Sequence, residues 1–100
     1  MSELTIPKAL FDPGMVVATP AATKALKRNR TDSFSLLSRH ITGDWGSLGP
    51  EGVEDQRMSL TPEHHDDQVA SIYVLEDGTK VWVITEWDRA VTTFLLPEEY

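Results

Sequence analysis

The sequence predicts an α+β fold: two or three short N-terminal helices packed on a C-terminal three- to four-stranded antiparallel β-meander. Three observations predict it. Runs rich in β-branched and aromatic residues fill 69–96, with Asp77-Gly78 between the first two; Asp-Gly supplies the positive φ angles of a two-residue hairpin. The helix start signals Thr19-Pro20 and Thr31-Asp32 both fall in the first half. A chain of 100 residues buries only about two thirds of its unfolded surface, enough for one sheet and a few helices. The expected organisation is therefore a single domain over 1–100, with an extended lead-in over 1–18, a helical part over 19–60 and the meander over 68–97.

In the lead-in, Pro7, Pro13 and Gly14 separate short apolar groups, and Asp12-Pro13-Gly14 reads as a turn before an edge strand at Met15–Ala18. Thr19 caps a helix over about 20–28, with Pro20 at its first position, where the missing N–H costs nothing. Its Ala21, Ala22, Ala25 and Leu26 share one side and Lys24, Lys27 and Arg28 the other, with Arg30 just beyond. A solvated cationic face explains these better than nucleic-acid contact does. A second helix over about 33–41 carries the stripe Phe34, Leu37 and Ile41, with Leu36 and His40 beside it, and Gly43 ends it. Trp45 lies in the Gly-punctuated loop 44–50, as a plug for the core or as a binding anchor. Pro50 opens a third, weaker helix, and the polar stretch 61–67 leads into the sheet.

The two-residue turn places Tyr73 opposite Trp82, Ile72 opposite Val83 and Val74 opposite Val81. A second tight turn at Asp88-Arg89 sets Val83 opposite Phe94 and Thr85 opposite Thr92. Ile72, Val74, Val81, Val83, Phe94 and Leu96 are then the core face under the helices. The other face carries Ser71, Tyr73, Leu75, Trp82, Ile84, Thr93 and Leu95, too apolar to be left open. The expected cover is the lead-in 4–17, or a protein partner or second copy seated on Tyr73 and Trp82.

Composition narrows the function. Without cysteine there is no thiolate metal site and no thiol nucleophile. No leader pattern or apolar run of roughly 20 residues appears, so a cytoplasmic protein without membrane association is expected. The net charge of −7 is uneven: residues 1–43 hold six basic and three acidic residues, and 44–100 hold three basic and thirteen acidic. The acidic half would repel a phosphate backbone, which makes direct nucleic-acid binding unfavourable.

Few residues suggest chemistry. In His64-His65-Asp66-Asp67 neighbouring side chains of an extended chain point opposite ways, so no metal site and no cofactor is expected. His40, Glu86, Arg89 and Thr92, with Arg39 and Thr93 nearby, could supply the base, acid and cation of a metal-independent ribonuclease. The order of helices then sheet looks like that of the barnase, colicin and RelE-type ribonuclease toxins, an analogy at the level of fold. Against it, Glu86 and Arg89 flank a turn where an ion pair is ordinary, and threonine is a good strand former.

The strings RHITGDWG (39–46), DGTKVWVITEWDR (77–89) and TTFLLPEEY (92–100), with FDPGMVVATPAA near the start, resemble a family of small proteins common on bacterial plasmids and integrative elements. Members carry names such as "plasmid-related protein" or a restriction-subunit label that a chain this short does not justify. The resemblance implies a mobile-element setting and brings no activity with it. The expected function is that of a small acidic accessory protein acting by protein binding, through Tyr73, Trp82, Ile84, Leu95 and Trp45, on a nucleic-acid-handling or defence complex. The ribonuclease is the alternative.

Overall fold

The computed structural model describes residues 9–60 and 67–100. In chain order the elements are β1 (Met15–Ala18), α1 (Pro20–Arg28), α2 (Ser33–Ile41), α3 (Pro50–Ser59), β2 (Val69–Val74), β3 (Lys80–Thr85), β4 (Val91–Leu95) and a closing 3-10 turn, Pro97–Glu99. The fold is α+β, with four strands in the order β1-β4-β3-β2.

β2, β3 and β4 form the expected antiparallel meander, but β1 runs parallel to β4, so the sheet is mixed. Parallel neighbours need a long crossover, and α1, α2 and α3 all lie between β1 and the meander.

The first hairpin corrects the expected register by one residue. Leu75 donates its N–H to Thr79 O (2.8 Å), and Gly78 N–H returns to Leu75 O (2.9 Å), enclosing the three-residue loop Glu76-Asp77-Gly78 with Gly78 at φ +89. Asp-Gly here closes a three-residue loop, in which glycine takes the left-handed position after a tight turn. Tyr73 therefore faces Val81, Ile72 faces Trp82 and Val74 faces Lys80. A one-residue slip moves every β2 side chain to the opposite side. Val69, Ser71, Tyr73 and Leu75 enter the core, whereas Val74 is exposed and Ile72 half-buried.

The second hairpin has the expected register, Val83 opposite Phe94 and Thr85 opposite Thr92. Val81, Val83 and Phe94 pack against Ala22, Ala25 and Leu26 of α1 and Leu36 of α2.

Thr19 caps α1 by accepting the N–H of Ala22, and Asp32 caps α2 by accepting that of Phe34. On α2 the buried pair is Leu36 and His40, one turn apart; Phe34, expected on the apolar stripe, is exposed. Two stripes compete on this helix, and the one that wins gives the His40 ring hydrogen-bond partners on both sides. α3 lies along the β2 edge: Gln56 accepts the N–H of Ala70 (2.7 Å) and donates to its carbonyl (2.9 Å). Beside it, Ile72 donates to Trp45 O and accepts from Ser47 N–H. Gly46 makes this approach possible, since at φ +69 an added Cβ would fall on the Ile72 carbonyl oxygen.

On the second face, Ile84 and Leu95 are only 3% and 8% exposed within one chain. The Tyr100 ring lies 5.1 Å from that of Trp82, and the Gln68 side-chain amide donates to the Tyr100 hydroxyl. The described part of the lead-in runs elsewhere, with Phe11 against His40 on the helix side.

Candidate functional site

The side chains with chemical potential converge at one end of the core. His40 projects from the last turn of α2 and is 0% exposed. Its Nδ1 lies 2.6 Å from Ser71 Oγ on β2 and its Nε2 2.9 Å from Thr85 Oγ1 on β3. Thr85 Oγ1 is 2.6 Å from Thr92 Oγ1 on β4, and Thr92 donates to the Pro13 carbonyl at 2.7 Å.

The order of donors follows from the last link. A carbonyl only accepts, so the single Thr92 hydroxyl proton goes to Pro13, and Thr92 accepts from Thr85. Thr85, its proton committed, accepts from His40 Nε2–H, which leaves Nδ1 to accept the Ser71 hydroxyl. His40 is thereby held as the neutral Nε2–H tautomer. Burial, and secondly the charge of Arg89, push its pKa down to about 4.

Phe11 closes this cluster from above, its ring edge-on to His40 at 5.3 Å, with the Arg89 guanidinium 5.7 Å from the Phe11 centroid. Arg89 holds φ +61 in the β3–β4 turn, and its Nη1 donates to Asp67 O (2.6 Å), Glu86 O and Trp87 O. Its Nη2 is buried with no hydrogen-bond partner among the described residues.

Of the ribonuclease candidates, the structure brings together His40 and Thr92, through Thr85, with Arg89 close enough to bias the imidazole. Glu86 is exposed and contributes its backbone carbonyl to Arg89. Ser71 and Thr85 are the members that sequence reasoning missed; polar residues alternating into a core face were the available signal, hidden until the hairpin register is known. Ser71, His40 and Thr85 have the order of nucleophile, base and orienting group, yet all three are 0% exposed. The cluster can hold the strands and the lead-in together; no substrate reaches it as it stands.

The binding candidates separate. Tyr73 lies on the core face, its hydroxyl donating to Asp44 O (2.7 Å), with burial raising its pKa to about 12. Arg39, paired with Asp44 at 2.7 Å, stacks 4.5 Å above the Tyr73 ring. Trp45 is buried and donates Nε1–H to His40 O (2.9 Å). Trp82, Ile84 and Leu95 share the second face, Trp82 half-buried beneath Tyr100. His64, His65 and Asp66 fall outside the described residues. No helix of the described residues is long and apolar enough to cross a membrane.

No family model, no curated protein and no solved structure matches this chain.

Proposed function

We propose that this protein works by binding another protein, as a small acidic accessory factor of a bacterial mobile element directed at a nucleic-acid-handling or defence complex. The observation that carries this reading is the enclosure of His40: the imidazole among the ribonuclease candidates is sealed, with both ring nitrogens engaged, while Glu86 stands apart from it at the surface. Catalysis needs that group at a substrate; binding does not. Exposed carboxylates on α3 and around the hairpin turns, including Glu51, Glu54, Asp55, Glu76 and Asp88, suit a partner whose surface normally meets phosphates.

The test is induction in a bacterial host together with affinity capture. Growth and bulk RNA should stay unchanged, and a stoichiometric partner should be retained at low salt and released at high salt. Growth arrest with RNA cleavage, relieved by Arg89→Ala, would replace this reading with the ribonuclease.

A further inference from the structure

The two edges of the sheet are treated differently. The β2 edge is sealed by Gln56 on Ala70 and by Trp45 and Ser47 on Ile72. Among the described residues, no strand or loop pairs with the outer edge of β1. Met15 and Thr19 donate inward to Ala90 O (2.9 Å) and Phe94 O (3.0 Å). A parallel ladder turns alternate residues to opposite sides, so the N–H and C=O groups of Val16 and Ala18 face outward. Among the described residues no hydrogen bond meets those groups. No lysine, proline or bulge blunts the edge, and Met15, Val16 and Val17 are 67%, 43% and 40% exposed.

We propose that this edge accepts an extended segment of a partner protein as an additional strand, and that the segment alternates apolar and acidic residues. The proposal rests on the protein-binding reading and names the partner's chemistry. Charge selects the occupant. α1 sits on the helix side of the sheet with its flanks in different roles: Arg28 pairs with Asp77 (2.8 Å) toward the β2–β3 hairpin, whereas Thr23 and Lys27 line a cavity of about 260 Å³ with Ala18 of β1. Lys27 is exposed and has no ion pair among the described residues, and residues 19–30 contain no acid. Two carboxylates stand near and both are engaged: Asp32 accepts from Phe34 N–H, and Glu99 accepts from Thr19 and Leu96.

The alternation follows from the pleat. Val16 and Ala18 share the helix side with Thr92 and Phe94, and Met15 and Val17 share the other side with Val91 and Thr93. An added strand therefore turns every second side chain to the helix side, which carries Lys27 and favours a carboxylate, and the others beside Met15 and Val17, where an apolar group is favoured. A second copy would bring Lys27 toward Lys27 across the junction, so like charges disfavour that occupant.

The probe is a capped hexapeptide alternating valine and glutamate, titrated into the whole labelled protein and followed by amide NMR, with a valine–lysine hexapeptide as comparison. The Val16 and Ala18 amides should shift most, while those of Met15 and Val17, already bonded to β4, move less. The glutamate peptide should bind about fivefold tighter or better, and the preference should shrink at about 0.5 M salt and reverse in Lys27→Glu. Equal binding of the two peptides, shifts mapping away from β1, no saturable shift, or concentration-dependent pairing of β1 with a second copy would each overturn the proposal. Peptide failure alongside a captured partner removes only the β1 inference. Edge binding of the peptide with RNA cleavage on induction overturns the broader reading, and with it the partner assigned to the edge, while the strand-accepting edge itself is retained.

Discussion

Ser71 Oγ and His40 Nδ1 lie 2.6 Å apart with neither residue exposed. A pairing that activates a nucleophile when a substrate can reach it serves here as a strut between α2 and the sheet, and its energetic signature is in pH.

His40 titrates at about 4 in the folded chain and near its ordinary 6.5 when unfolded. Between those values the unfolded state takes up a proton that the folded state refuses. Stability should therefore be unaffected by this group above about pH 6.5, fall as pH drops toward 4, and lose roughly 3 kcal/mol over the window. Urea denaturation at steps between pH 7 and 4 measures it. His40→Gln should be less stable at pH 7 and flatter across the window; an unchanged slope would mean that the imidazole is not the titrating group.

Trp82→Glu tests the second face. A carboxylate beside Ile72 and Leu95 and beneath Tyr100 loses apolar burial, so the variant should be about 1–3 kcal/mol less stable with its oligomeric state unchanged. Loss of association with stability intact would make this face an interface.

Gln56→Ala removes both bonds to Ala70 and opens the β2 edge. The expected cost is about 1–2 kcal/mol, with the Ala70 amide exchanging faster in hydrogen-exchange measurements than in the parent and a greater tendency to aggregate at high concentration.

Gly46→Ala forces a methyl group onto the Ile72 carbonyl oxygen and a non-glycine residue to φ +69. The loop should be pushed off β2 at a cost of about 2 kcal/mol or more, seen as a lower melting temperature and loss of the Ser47 to Ile72 bond by amide NMR.

What the sequence reveals and what it hides divide along physical lines. The helix starts at Thr19-Pro20 and Asp32 were legible because capping is local chemistry, and the pairing of Val83 with Phe94 followed from a tight turn placed at Asp88-Arg89. The β2 register was not, because Asp77-Gly78 fits a two- or a three-residue loop equally well. That single ambiguity put Tyr73 on the wrong face and concealed Ser71. The parallel seat of β1 was also hidden, since the pattern of Met15–Ala18 reads alike in either direction. For the candidate site, His40, Arg89 and Thr92 were visible as residue types, but the enclosure that decides what His40 can do comes from Phe11 and the lead-in, far away in sequence.

The chain of donors from Ser71 through His40, Thr85 and Thr92 to Pro13 joins the lead-in, α2 and three strands, with one link spanning 79 residues of sequence. The chain is complete only when all five segments have met, so it is expected to form late in folding and to act mainly as a brake on escape from the native state. In stopped-flow denaturation, Thr92→Val should accelerate unfolding severalfold and leave the refolding rate nearly unchanged; equal changes on both limbs would place the network in the folding nucleus. The interior polar groups would then govern the lifetime of the folded protein more than the speed of its formation.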